Sequence, residues 1–439
     1  MNLFLSLLTC ILLINHTIYA HRNKILFSAS YLFHLYFFIQ LPLNLIFVIY
    51  LDQSFFFINP NTPIGLLHYL FILIVVAQCA FLLLYKIGNE NFKNSSRTKL
   101  TWSDKRLKIV CLSLIPLGYI AFSYMIYLNG GLTTFIENRG SWRTGGMIGQ
   151  GWLIFPGTTL VPMACLLLAI HSRDKYPRKH FLMLMLTLLI VAIIPSVLTD
   201  FRGSIIVVIL YFSFFYHRFI EPIETKYFLL SATTVGLLFI WVTTQRFLNG
   251  ITGYKNDFHE VNNFLMTNYD LMVYQSLVRS SGSDVLAMVV TKIQNGVPHT
   301  YFFPSLYEAL TIVIPGAIWP LKPIPQGVRF AEIFYSQANG GISATIVGDG
   351  YWNFGIIGVL IVMASIGFIC SRFEKRVQDT AISNHSIFTA CIFFPLIVWS
   401  SESLQGTLNG TVAAFIWMKI IEILISNSTS KDASSSLGH

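Results

Sequence analysis

Apolar segments about 20 residues long recur along nearly the whole chain, and they restrict the folds that it can adopt. A helix of about that length crosses the hydrocarbon core of a bilayer with its backbone hydrogen bonds made inside the helix. Of the 439 residues, 54% are hydrophobic and 11% are charged, whereas a soluble domain carries roughly 25% charged residues. The sequence therefore predicts an all-α polytopic membrane protein.

The apolar runs predict about eleven membrane-spanning helices. We interpret the first run as a retained helix and not as a signal peptide, because its basic residues, Arg22 and Lys24, follow the run. The predicted division is helices one to eight in 1–246, a long loop in 247–350, helices nine to eleven in 351–425 and a disordered cytoplasmic tail in 426–439. The predicted spans are 2–19, 26–51, 63–85, 107–128, 152–170, 181–199, 203–217, 227–246, 351–371, 386–401 and 408–425.

The distribution of basic residues predicts the orientation of these helices. Alternate connecting segments, together with the C-terminal end, hold 20 of the 29 Lys and Arg residues. Basic residues favour the cytoplasmic side of a membrane, so the N-terminus is predicted outside and the C-terminus inside. This topology signal accounts for the net charge of +9, and no nucleic-acid partner is predicted.

The cations predicted on the external face are mostly arginine, and the guanidinium fork suits bidentate capture of phosphate oxygens. Arg202 lies between Asp200 and Gly203 at the start of the short seventh span. Its side chain either extends to lipid phosphates or binds an anion together with Arg246, which the topology places at the same depth. The external arginines are Arg139, Arg143, Arg202, Arg246, Arg279 and Arg329.

Acidic and histidine side chains on the same face are candidate bases. Glu137 lies in a glycine-rich segment, 128–152, whose alternative role is that of a flexible connector. The long loop contains His299 and Glu332, and its amphipathic segments are predicted to form helices along the membrane surface. Asp349 begins the stretch "DGYWNFGIIG" at the predicted mouth of the ninth span.

Several classes of chemistry have no signature in the sequence. It contains no nucleotide-binding glycine loop, no HExxH-type metal motif and no GxSxG nucleophile turn. We therefore expect no cofactor and no bound metal. Few charges lie in the middle of the predicted spans, which argues against an ion-coupled transporter with a buried charge relay.

The arrangement of spans and the single large loop in the second half resemble the O-antigen polymerases, the oligosaccharide repeat-unit polymerases of bacterial envelopes, which are related to the O-antigen ligases. Two motifs carry the resemblance, the Arg202–Gly203 turn and "GDGYWNFGIIG" at 348–358. The second is similar to the family's Gly-acid-x-Tyr-x-Asn-Phe-Gly stretch, in which the acid is often glutamate and here is Asp349. The spacing from Arg329 to Gly340 also fits an Arg-x10-Gly pattern of some members.

The resemblance implies a glycosyltransferase of the inner membrane with a GT-C-like architecture and a periplasmic large loop. Its substrates would be undecaprenyl-diphosphate-linked oligosaccharides, joined into O-antigen or a related polysaccharide by metal-independent, inverting transfer, with a chain-length regulator as a further partner. Arginines would stabilise the diphosphate leaving group, and an acceptor hydroxyl would need a general base. The predicted catalytic residues are Asp349, Arg202, Arg246, Glu137 and His299, and the predicted substrate-binding residues are Arg139, Arg143, Arg279, Arg329, Tyr351 and Asn353.

Two alternative functions stay open at this point. An O-antigen ligase would use the same donor with a lipid A-core acceptor and a periplasmic histidine, for which His299 is the candidate. A flippase or transporter would bind the lipid-linked sugar without changing it. The concentration of arginine on one face disfavours that second alternative.

Overall fold

The computed structural model consists mainly of helices, and no strand occurs among the residues that it describes. The described residues are 1–22, 28–50, 57–90, 102–137, 151–199, 202–224, 258–269, 282–300, 326–335, 344–378 and 404–425, with single positions in 226–248, at 272, in 304–319 and in 387–392.

The helices are numbered here in chain order. Two of them continue into a π-helical turn, α7 into Pro156–Leu160 and α10 into Tyr216–Ile220, and α8 ends in a 3-10 turn at Arg173–Lys175. The bounds are α1 Asn2–Arg22, α2 Ala29–Gln40, α3 Pro42–Tyr50, α4 Ile64–Glu90, α5 Asp104–Leu128, α6 Gly131–Glu137, α7 Gly151–Phe155, α8 Val161–Ser172, α9 Arg178–Leu198, α10 Arg202–Phe215, α11 Phe258–Thr267, α12 Gly282–Gln294, α13 Gln326–Tyr335, α14 Ile346–Gln378 and α15 Leu404–Ile425.

Seven of the described segments are long and apolar enough to cross a bilayer, which confirms the prediction of an all-α membrane protein. They coincide with the first six predicted spans and with the ninth. Helices α10 and α15 lie at the predicted seventh and eleventh spans, and most of the eighth and tenth lies outside the described residues. The segments are Asn2–Arg22, Ser30–Tyr50, Ile64–Gly88, Asp104–Leu128, Trp152–Lys175, Arg178–Leu198 and Ile346–Lys375.

The first of two compact units contains Met1–Leu82, Pro222–His299 and Ala344–Ala364. Its N-terminal helices bury a polar cluster: the Nδ1 atoms of His16 and His34 lie 2.9 Å apart, and His34 Nε2 lies 3.1 Å from Gln78 Nε2. Polar side chains buried among membrane helices need hydrogen-bond partners from the protein, because no water is available there to act as the partner. The candidate functional site lies in this unit.

The second unit contains Leu83–Glu221, Thr300–Ser343 and Ser365–His439. Here α5 packs closely against the π-helical turn and α8 through two glycines. A Cβ added at Gly118 would lie 2.5 Å from Val161 Cγ2, and one added at Gly157 would lie 3.0 Å from Phe122. Small residues at such positions let membrane helices approach one another and gain packing contacts.

Candidate functional site

The site is organised by a break in helix α14. Phe354 has φ −134° and ψ 25°, and Gly355 has φ 60° and ψ −140°, so neither residue is helical. The conformation of Gly355 is essentially restricted to glycine, because a Cβ would clash with the backbone. The break divides the helix into a short first part, 346–353, and a longer second part, 356–378.

The two parts of α14 are folded sharply against each other. A Cβ added at Gly358 would lie 2.0 Å from the carbonyl oxygen of Gly350. In a continuous helix, residues eight apart are separated by about 12 Å. The contact therefore requires glycine at position 358, and it places the residues around the break in a confined space.

The second part of α14 is long enough to cross a bilayer without the first part, since its length is about 34 Å. The sequence predicted a span from 351 to 371, but the helix begins at Ile346 and the predicted span includes the break. Since the second part alone fits the apolar core, the break lies at one end of the membrane-spanning part of α14.

The start of α14 is held by Thr345. The Thr345 hydroxyl accepts a hydrogen bond from the Gly348 amide at 3.1 Å, and its carbonyl accepts one from the Asp349 amide at 2.9 Å. Thr345 has φ 56°, a rare value for a β-branched residue, and such strain is concentrated at functional sites. These bonds fix Asp349 in the first turn of the helix.

Asp349 and Asn353 are neighbours on one face of this short helix, and both are buried. The side chain of Asn353 donates a hydrogen bond to the Asp349 carbonyl oxygen at 2.7 Å. Asp349 is only 1% exposed, and acidic residues at this level of burial are rare unless they are paired or functional. Asp349 stays the first candidate for a chemical role at this site.

His299 contacts the break from the preceding segment of the chain. Its Nδ1 lies 3.0 Å from the carbonyl oxygen of Trp352, and a carbonyl only accepts hydrogen bonds, so Nδ1 is the nitrogen that carries the proton. In the neutral ring, Nε2 then has the lone pair of a base. The Trp352 indole donates in turn to the carbonyl of Pro298 at 3.3 Å, so two bonds join residues 298–299 to the helix.

A pair of tyrosines borders the histidine. The Tyr69 hydroxyl donates to the Tyr351 hydroxyl at 3.0 Å, and the two rings meet edge to face. The rings of Tyr351 and His299 have centroids 6.3 Å apart. Tyr351 is mostly buried, so the predicted substrate-binding side chain is held in place by its neighbours.

Helix α12 is fixed at its beginning by a partly buried acid. Asp284 accepts hydrogen bonds from the amides of Phe57 and Ile58 at 2.6 and 3.2 Å. Burial raises the pKa of Asp284, and these two hydrogen bonds partly offset the increase. Together with the contacts of His299, this anchor holds both ends of the 284–299 segment, which leads into the site.

The structure brings together four of the predicted site residues, His299, Asp349, Tyr351 and Asn353. Sequence reasoning did not find Tyr69, Thr345 or the break at Gly355. The spacing of glycines in "NFGIIG" was the available signal for the break. A single tyrosine in an apolar run, such as Tyr69, gives no signal of a site.

The other predicted residues belong to the second unit or lie outside the described residues. Arg329 and Glu332 are exposed on α13, which belongs to the second unit. Arg202 is the first residue of α10 and Glu137 the last of α6, and their side chains are not described. The predictions for Arg139, Arg143, Arg246 and Arg279, and the partner Asp200 predicted for Arg202, lie outside the described residues. The convergence of arginines on one anion stays a prediction.

The fold and the buried polar site define an all-α membrane protein. In comparisons with known proteins, the chain matches no family model, no curated protein and no solved structure. The resemblance to the O-antigen polymerases therefore depends on the sequence motifs and stays a prediction.

Gly358→Ala is expected to destabilise the protein by about 1–3 kcal/mol, because the added methyl group overpacks the contact with the Gly350 carbonyl. Thermal unfolding of the purified protein in detergent measures the change. Gly65→Ala in α4 is the matched control, since a Cβ there meets nothing within 4 Å. Equal melting temperatures for the two variants would contradict the close approach of the two parts of α14.

Proposed function

We propose that the protein polymerises lipid-linked oligosaccharide repeat units on the outer face of a bacterial inner membrane. One observation supports this function most strongly: a buried acid lies on the short first part of α14, and a histidine fifty residues earlier in sequence contacts the same short helix. The stretch that resembles the polymerase motif, 348–358, contains the break in α14. A polytopic all-α fold is the setting that such a reaction on a lipid carrier needs.

The proposed reaction is an inverting glycosyl transfer. A hydroxyl of the acceptor sugar attacks the anomeric carbon of the donor glycan, and the bond from that carbon to the diphosphate oxygen breaks. The hydroxyl proton passes to a base, and the electron pair of the broken bond stays on the undecaprenyl diphosphate. Asp349 is the first candidate for the base, and His299 is the second because its neutral ring presents Nε2 as the acceptor.

The leaving diphosphate gains negative charge as the bond breaks, and Arg202 and Arg246 are proposed to stabilise it. Fixed donors aimed at such charge contribute strongly in a site from which water is excluded. The proposal includes a GT-C-like arrangement of about eleven spans, a periplasmic N-terminus, a cytoplasmic C-terminus and a chain-length regulator as a partner. The predicted loop charges support this orientation.

Purified protein supplied with undecaprenyl-diphosphate-linked repeat units is expected to lengthen the glycan without a nucleotide sugar or a divalent metal ion. Products are separated by size on a gel, with a chelator present in one arm. A strict requirement for a divalent metal would refute the arginine mechanism. Bound but unextended substrate would favour a flippase or transporter.

The ligase alternative is favoured by one observation, the ordered contact of His299 with the Trp352 carbonyl. Deletion of the gene separates the two functions. Loss of a polymerase leaves lipopolysaccharide with a single repeat unit on the lipid core, whereas loss of a ligase leaves the core without any repeat unit.

A further inference from the structure

A second polar site lies in the other unit, where α8, α9 and α10 end. A cleft of about 330 Å³ opens there, between the turn after α8 and the π-helical turn after α10. It lies at the ends of two segments long and apolar enough to span the membrane, Trp152–Lys175 and Arg178–Leu198. A cleft in that position faces the headgroup region of the bilayer. The charged side chains that line it are Arg173, Asp174, Arg178 and Glu221, and Tyr176 and Phe181 add aromatic surface.

The cleft pairs two arginines with two acids, and it lies in a basic segment of the chain. The surrounding segment, 171–180, has four Lys and Arg residues and one acid, Asp174. Arg178 Nη2 lies 2.7 Å from Glu221 Oε2, and both side chains are exposed to a large extent. The ion pair of Arg173 with Asp174 is longer, at 3.6 Å. Exposed ion pairs are screened by water and contribute little, so a phosphate group can compete for both arginines.

The rest of the cleft matches the other parts of a phospholipid. Phe181 forms a buried apolar wall, and Leu182 beside it is 41% exposed. Tyr176 is half exposed at the rim, and tyrosines of this kind lie at the boundary between lipid and water. An inorganic anion does not bind through apolar surfaces. A phospholipid, in contrast, contacts Phe181, Leu182 and Tyr176 as well as the charged side chains.

We propose that this cleft binds the phosphate of an anionic phospholipid, with Arg173 and Arg178 as its cationic ligands and the acyl chains against Phe181 and Leu182. By the predicted topology the lipid belongs to the cytoplasmic leaflet, whose anionic lipids attract basic segments. Glu221 is then a competitor for Arg178, and the Tyr216 hydroxyl, which donates to Glu221 at 3.2 Å, stabilises the unoccupied state. The proposal does not depend on the catalytic function.

The test is a binding titration of the full-length protein in neutral detergent micelles with fluorescent phosphatidylglycerol. Arg173→Gln and Arg178→Gln are each expected to weaken binding about fivefold, and the double variant about 25-fold. Glu221→Gln is expected to strengthen binding several-fold, because it releases Arg178. A gain of affinity in that variant is a result that misfolding does not produce.

Lys179→Gln is the matched control, because Lys179 lies in the same basic segment but does not line the cleft. It is expected to change the affinity less than twofold. A loss as large as that of Arg178→Gln would overturn the proposal in favour of diffuse charge attraction. Equal affinity for phosphatidylcholine would also overturn it, as would displacement of the lipid by millimolar inorganic phosphate, which would indicate a site for a soluble anion.

Discussion

Asp349→Asn is expected to lower the initial rate of glycan extension by about 10²–10⁴, the usual contribution of a general base. The asparagine amide fills nearly the same volume but does not accept a proton, so the buried turn that Thr345 and Asn353 support stays intact. Asp349→Glu is expected to retain part of the activity, since a carboxylate is present on a longer side chain. The rate is measured with purified protein and a fixed amount of lipid-linked repeat unit.

His299→Gln identifies which of the two candidates is the base. The glutamine amide still offers a donor for the Trp352 carbonyl, which His299 Nδ1 contacts at 3.0 Å, but it has no basic nitrogen. If Asp349 is the base, His299→Gln costs less than tenfold, because only positioning is disturbed. Losses that are large for His299→Gln and small for Asp349→Asn would transfer the role to the histidine.

Asp284→Asn is the control for both variants. It removes a partly buried carboxylate from the same unit, and the asparagine oxygen still accepts from the amides of Phe57 and Ile58. We expect its rate to match that of the unchanged protein. Wild-type rates for both the Asp349 and the His299 variants would show that neither residue is the base and that the break in α14 has no part in catalysis.

Many of the helices could be predicted from the sequence, because a bilayer imposes a simple requirement on each spanning segment. A span needs a long apolar run, and so the first six predicted spans and the ninth coincide with segments of the structure. Hydropathy averages over many residues, however, and does not register a change of backbone direction at one of them. The break at Gly355 and the start of α14 at Ile346 were therefore not predicted.

The site was predicted as separate residues and not as an arrangement. Asp349 and Asn353 are a helical turn apart, but the predicted span began at 351 and left Asp349 outside the helix. His299 is fifty residues from Asp349, and no spacing rule connects a loop histidine to the carbonyl of Trp352. Tyr69 was missed for the same reason, since its partner Tyr351 is 282 residues away.

The long loop contained a local pattern that sequence reasoning could use. Its amphipathic stretch predicted a helix, and α12 occupies Gly282–Gln294, where the five consecutive residues 286–290 are all buried. The pattern did not predict the contact of Asp284 with the amides of Phe57 and Ile58, because these residues lie more than 200 positions earlier in the chain. Periodicity predicts elements, and contacts between distant elements need the structure.

Arg202→Ala and Arg246→Ala are each expected to reduce extension by about 10²–10³, because each removes a fixed donor from the leaving diphosphate. Lysine at either position is expected to recover only part of the activity, since an ammonium group lacks the bidentate fork. The readout is the lipopolysaccharide ladder of cells that express each variant, with protein amounts checked by immunoblot. Lys255→Ala, a change of the same charge on the predicted external face, is expected to leave the ladder unchanged.

The double variant tests whether both arginines act on one anion. If Arg202 and Arg246 bind the same diphosphate, the loss in Arg202→Ala/Arg246→Ala is smaller than the product of the two single losses, because residues that act as a unit are not additive. Strictly multiplicative losses would place the two side chains at independent sites. Wild-type ladders from both single variants would remove guanidinium stabilisation from the proposed reaction, and the charge on the departing diphosphate would then need another source of compensation.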